Sequence, residues 1–127
     1  MFADTKAYSG FAVPDLEQAR QFYGDTLGVK VSDVAEGMPL ISLDLAGGER
    51  PTLVYEKPDH EPANYTILNF PVDDIDAAVD DLAARGVEFE RYEEFDQDEK
   101  GISRSPGPQV AWFKDPAGNI LAVMQDQ

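Results

Sequence analysis

Apolar residues recur along this chain in two rhythms, one short and continuous or alternating, the other at helical spacing, and the points where the rhythm changes mark out the elements. Apolar stretches of strand length open at residues 7–13 and 65–72. Behind the second, Ile75, Ala78, Val79 and Leu82 return every three or four residues, with Asp74 placed to cap the first turn and Arg85-Gly86 to end the last. Behind the first, Asp15 and Gln18 make a capping-box-like start. Leu16, Ala19, Phe22 and Tyr23 then form a buried stripe, which predicts a helix over 15–25. Three strand-like runs follow each helix: 29–34, 40–45 and 52–56 in the first half, and 87–95, 109–114 and 120–125 in the second.

The halves are copies of one another. An offset of 59 lays Phe11 on Phe70, Val13 on Val72, Asp15 on Asp74, Leu16 on Ile75 and Ala19 on Ala78, and after a one-residue deletion Gly28-Val29 meets Gly86-Val87. Each half therefore reads βαβββ, over residues 1–57 and 65–127, with Pro58 and Pro62 punctuating a linker at 58–64. Gly47-Gly48-Glu49 and Asp115-Pro116-Ala117-Gly118-Asn119 carry the turn chemistry of antiparallel hairpins. The expected fold is α+β: two βαβββ repeats forming paired curved sheets, each with one face on its helix and the other lining a cleft.

Composition narrows the function. With 127 residues, 43% of them apolar, the chain makes one domain with a sizeable core. Ten basic against 25 acidic side chains leave a net charge of -15, which repels nucleic acid and anionic membranes and favours a cationic or neutral small molecule. There is no cysteine, so disulfides, thiolate nucleophiles and cysteine metal sites are excluded. The first residues carry no apolar signal region and no run approaches the ~18 residues of a membrane span, so the expected location is cytoplasmic.

Three fragments in order, Phe11-Ala-Val-Pro-Asp-Leu-Glu-Gln-Ala-Arg-Gln-Phe-Tyr23 with Leu27-Gly28, Val72-Asp-Asp-Ile-Asp-Ala-Ala-Val79 with Gly86-Val87, and Phe113-Lys-Asp-Pro-Ala-Gly-Asn119-Ile-Leu121, resemble the vicinal oxygen chelate superfamily. That superfamily holds glyoxalases, bleomycin-resistance proteins, extradiol dioxygenases and fosfomycin-resistance enzymes, and the resemblance spans nearly the whole chain. It implies a glyoxalase/bleomycin-resistance-like fold and a homodimer. It also implies, in the metalloenzymes, a divalent ion held by His, Gln or Glu on the first strand of each half and Glu on the last. Those positions fall here on Tyr8, Ile67 and Ala122. Two are hydrocarbon side chains, and Tyr8 ligates only after its phenol loses a proton. The usual metal site is expected to be missing, no cofactor is implied, and a divalent ion held elsewhere stays open.

Other candidates are sparse. The single histidine, His60, lies in the linker and is expected in solvent. Asp96-Gln-Asp98-Glu-Lys100-Gly101 imitates the start of a calcium loop but has Lys100 at its fifth position and Gly107 where the bidentate Glu belongs, so it reads as a charged surface loop. Strand alternation assigns Tyr8, Gly10, Ala12, Ile67, Asn69, Pro71, Ala122 and Met124 to the cleft, and gives Trp112 the opposite side from Phe113. Thr52, Val54 and Glu56 share a face, which is the cleft face in one of two readings. The candidate ligand-binding set is Tyr8, Glu56, Asn69, Arg104, Trp112 and Met124. The leading function is metal-free binding of a small organic molecule, aromatic or cationic. The alternatives are a lyase, isomerase or dioxygenase of the same superfamily with a non-standard metal or acid–base site, and an interaction module whose cleft is packed shut.

Overall fold

The computed structural model describes residues 1–104 and 106–126 and divides into two compact units, Met1–Glu61 and Pro62–Gln127. In the first, strand β1 (Gly10–Val13) runs into helix α1 (Leu16–Gln21), which continues as a π-helical turn over Phe22–Thr26. Three strands follow, β2 (Lys30–Asp33), β3 (Leu40–Asp44) and β4 (Thr52–Glu56). They form one sheet in the order β1-β4-β3-β2, with β1 and β4 parallel and the other pairs antiparallel. In the second unit, β5 (Thr66–Pro71) leads to helix α2 (Ile75–Ala84), then to β6 (Gln109–Lys114) and β7 (Ile120–Gln125), in a sheet of order β5-β7-β6. Here too the first strand pairs parallel with the last. The fold is α+β, with a mixed sheet and a helix in each unit.

Both helices start as their sequences dictate. Asp15 and Asp74 adopt nearly the same extended backbone, and each aspartate Oδ1 accepts the N–H three residues on, from Gln18 and Ala77, at 3.1 Å in both. The first helix reaches as far as expected by changing its pitch. Leu27 N–H donates to Phe22 O at 2.9 Å, five residues back, and Gly28, at φ +73°, then turns the chain so that Val29 N–H closes onto Tyr23 O at 2.8 Å. The wider turn presses Tyr23 fully into the core, where its ring meets Phe11 at 5.7 Å and Phe22 edge-on at 5.3 Å.

Register sorts the faces of each sheet. In the first unit, Phe11, Val54 and Ile41 form one cross-strand row and Val13 pairs with Glu56; this side carries the Phe11–Tyr23 contact and lies toward α1. Gly10, Leu53 and Ser42, with Ala12, Tyr55 and Leu40, make the opposite side. In the second unit, Leu68, Leu121 and Phe113, with Phe70, Val123 and Ala111, form the side from which Phe113, Leu121, Val123 and Ala111 are buried along with Ile75 and Val79 of α2.

One strand departs from expectation. Among the described residues, the backbone of 87–95 pairs with the sheet through one bridge, Phe89 to Phe113, and a hydrogen bond from Glu90 N–H to Trp112 O at 2.8 Å, and then leaves the ladder. Four glutamates in eight residues, Glu88, Glu90, Glu93 and Glu94, set like charges along the segment, and a turn in which Phe95 N–H donates to Tyr92 O at 3.1 Å replaces further pairing. His60 also differs from the solvent position expected of it: its backbone N–H closes a turn onto Lys57 O at 2.9 Å, and the half-buried ring has an enclosed Nε2.

Candidate functional site

Three of the candidate residues meet on the side of the second sheet opposite Phe113. Asn69, Ala122 and Trp112 stand in one cross-strand row, and Pro71, Met124 and Val110 in the next, so Asn69, Trp112 and Met124 share a face. Ala122 is fully buried in this face, Trp112 and Met124 are half-buried and Asn69 is exposed. Ile67 sits where the β5–β7 register shifts, an irregularity between Thr66 and Leu68 that puts two residues of β5 against one step of β7.

Trp112 is the centre of an aromatic cluster. Phe95 lies 4.7 Å from it at a tilt of 34°, and Tyr92 meets it edge-on at 5.4 Å. Neither neighbour follows from the expected strand, in which residues three apart would point to opposite sides; the turn at 92–95 brings both rings to the indole. Phe89, before the turn, packs instead on Phe113 at 5.7 Å across the sheet. Phe95 is 46% exposed, so the cluster reaches the surface.

The remaining candidates lie elsewhere. Thr52, Val54 and Glu56 do share a face, but it is the one toward α1: Glu56 Oε2 accepts Leu16 N–H at 3.3 Å, placing its charge at the start of that helix. Arg104 is held by carboxylates, at 2.8 Å to Asp76 of α2 and 3.0 Å to Asp98, and also donates to Gln109 Oε1. Tyr8, in the first unit, is half exposed, and the Arg50 guanidinium rests 4.3 Å above its ring. Arg50 follows a glycine turn, where only its loop position was legible.

The imitation calcium loop is closed by its own groups. Asp98 Oδ1 accepts the N–H of Lys100 and of Ile102, both at 2.9 Å, and Lys100 Nζ bonds Asp80 at 3.0 Å and Asp76 at 3.5 Å. The Arg104 hydrogen bond holds the Asp76 carboxyl below the usual carboxylate range. Burial pushes the Asp98 carboxyl up, but the N–H of Ile102, Arg104 and the N–H of Lys100 together outweigh it and the net direction is down. A depressed folded-state pKa gives stability that is complete above the unfolded value, about 3.9, and is lost as pH falls through the folded one. Urea midpoints measured from pH 6 down to pH 2 are therefore expected to fall below about pH 4, and an Asp76→Asn, Asp98→Asn double variant to start lower and fall less. A variant with the wild-type acid slope would refute the assignment.

Residues 7–123 match the profile of the Glyoxalase/Bleomycin resistance protein/Dioxygenase superfamily. The chain belongs to this superfamily. Among solved structures it is similar to TnmS3, an antibiotic binding protein from Streptomyces sp. CB03234, with 25% identity and a TM-score of 0.72 over 98% of each chain. A glyoxalase/bleomycin resistance protein from the same Streptomyces strain is 26% identical, with a TM-score of 0.64 over 94% of this chain and all of that one. A superfamily member from Sphaerobacter thermophilus DSM 20745, 23% identical with a TM-score of 0.70 over 96% and 98% of the two chains, shows the shared fold. No curated protein matches the chain.

The donors expected of a glyoxalase-like metal centre do not fit an ion here. Ile67 and Ala122 offer no lone pair, and the cation already stacked on Tyr8 opposes a second one. Among the described residues, no group of three or more His, Asp or Glu side chains is placed to hold a metal ion. Also among them, no helix is long and apolar enough to cross a membrane.

Proposed function

We propose that this superfamily member binds a small planar organic molecule against Trp112 and holds it without a divalent ion and without transforming it. The observation that carries the reading is the face shared by Trp112, Asn69 and Met124: a half-buried indole, a polar amide that can orient a guest, and a polarisable thioether. Its similarity to an antibiotic binding protein over 98% of both chains supports binding as the activity. The net charge of -15 favours a cationic guest, both through its long-range field and through cation–π attraction to the indole. A homodimer is part of the same reading and rests on analogy with the superfamily.

Trp112 is the single tryptophan, so its fluorescence reports the site directly. Titration with 9-aminoacridine, a planar cation, is expected to quench it saturably and equally with and without EDTA. Anthracene-9-carboxylate should bind several-fold more weakly at low salt, the gap closing as ionic strength rises toward about 1 M. Quenching that never saturates, or that disappears with the chelator, would rule the reading out.

A further inference from the structure

The aromatic cluster contains a polar group that the fold leaves unanswered. Tyr92 is half-buried, yet its hydroxyl oxygen is enclosed and has no hydrogen-bond partner among the described residues. Buried hydroxyls are almost always paired, because losing water without gaining a partner is unfavourable. Besides His60 Nε2 in the first unit, this oxygen is the one enclosed polar side-chain atom without a partner among the described residues. Around it, the Tyr92 N–H donates to Gln97 Oε1 at 2.7 Å, and Gln97 Nε2 donates to Glu90 O at 2.9 Å and Gly101 O at 2.8 Å. Arg91 ties the same loop to the carbonyls of Asp98 and Glu99. A loop so fully bonded along its backbone holds the phenol ring in place, edge-on to the Trp112 indole with centroids 5.4 Å apart. Burial, reinforced by the Glu90 carboxylate, pushes the Tyr92 phenol above its usual range, so the hydroxyl keeps its proton and acts as a donor.

We propose that the Tyr92 hydroxyl is the polar anchor of the Trp112 site, donating a hydrogen bond to a neutral acceptor oxygen, a ketone, quinone or amide carbonyl, carried on the guest's ring system. The inference rests on the binding reading above and adds the chemical class to it: a planar ring alone fills the stacking position, while a carbonyl at its rim completes the hydroxyl. A carboxylate is the less favoured acceptor, because Glu90 and Glu94 place negative charge around this ring that Lys114, paired with Glu90 at 3.4 Å, offsets only in part. The 34° tilt and partial exposure of Phe95 leave it as the neighbour that gives way when a ring enters beside Trp112.

The test uses the full chain and two neutral probes of nearly equal size, 2-acetylnaphthalene and 2-ethylnaphthalene, with affinities measured by calorimetry for the wild type, Tyr92→Phe and Trp112→Leu. The wild type is expected to prefer the ketone by about three- to tenfold, the worth of one neutral hydrogen bond. Tyr92→Phe should erase that preference, and Trp112→Leu should weaken both probes. Because the hydroxyl has nothing to lose in the free protein, the urea midpoint of Tyr92→Phe should equal or exceed that of the wild type. If both probes bind through Trp112 with no preference, or with one that survives Tyr92→Phe, the anchor is overturned while the binding reading stands. A lowered urea midpoint in Tyr92→Phe also overturns it, since the hydroxyl then has a partner inside the protein. Failure of both probes to bind the wild type overturns the Trp112 reading and the anchor with it.

Discussion

Replacing Asp115 with alanine is expected to lower the unfolding free energy by about 3–4 kcal/mol, and asparagine at the same position to cost roughly half as much. The residue is almost fully buried in the turn between β6 and β7, and its carboxylate accepts from Ala117 and Asn119. Oδ1 accepts the N–H of Ala117 at 2.9 Å and of Asn119 at 2.8 Å, and Oδ2 accepts the Asn119 side-chain amide at 2.9 Å. Alanine removes these acceptors where Asn119 is only 2% exposed, and a charged acceptor is worth more than a neutral one. Asparagine keeps the shape and one acceptor oxygen. The backbone shows what is being held: Gly118 N–H closes onto Asp115 O at 3.0 Å with Pro116 at the first corner, and Gly118 takes φ +90°, a conformation that strains any side chain. This turn sets the register that places Trp112 opposite Ala122 and Val110 opposite Met124, and a slip of one residue would send Trp112 to the helix side. Chemical denaturation checks the stability, and a loss below about 1 kcal/mol would mean that the buried carboxylate is dispensable.

The parts of this architecture that depend on neighbours in sequence were legible from sequence. The repeat placed Asp15 and Asp74 at equivalent helix starts, and both cap, because an N-cap needs only a carboxylate and an N–H three residues away. Strand alternation put Trp112 and Phe113 on opposite sides and joined Asn69 to Met124, because the pleat allows nothing else. What alternation does not tell is which side a face looks to. Thr52, Val54 and Glu56 were correctly grouped, yet Glu56 ends at the start of α1, a choice made by Val54 packing in the core. Arg104 is claimed by Asp76, 28 residues earlier, and no local pattern records that encounter. The segment 87–95 fails as a strand for a similar reason. Its apolar residues suit pairing, but its glutamates and the Gln97 side chain, which takes up the Tyr92 N–H, end the pairing after one bridge. The Tyr92 and Phe95 rings that complete the Trp112 cluster are a consequence of that turn, and so were visible only once it was.

Neighbouring residues of β6 should answer mutation in opposite ways. Phe113→Ala is expected to cost about 3–5 kcal/mol, while Trp112→Leu should cost far less stability and remove most of the binding. Phe113 is 1% exposed, on the side buried with α2, and its ring meets Phe89 at 5.7 Å in an edge-to-face contact that secures the bridge between residue 89 and the sheet. Truncation empties a ring-sized volume that the paired strands around it cannot collapse to fill, so the cavity adds to the lost burial. In thermal unfolding this corresponds to a fall on the order of 10–20 °C. Trp112 is half-buried and leucine keeps much of its apolar area against Ala122 and Met124, but it offers no flat ring for a guest to stack on. The pair is informative because the two side chains share a backbone and differ in the face they occupy. If Trp112→Leu unfolds the protein as severely as Phe113→Ala, the indole is a second core and the proposed binding face is closed. If Trp112→Leu stays folded while 9-aminoacridine binding, followed by the ligand's own fluorescence, drops by about tenfold or more, the stacking contact carries the affinity.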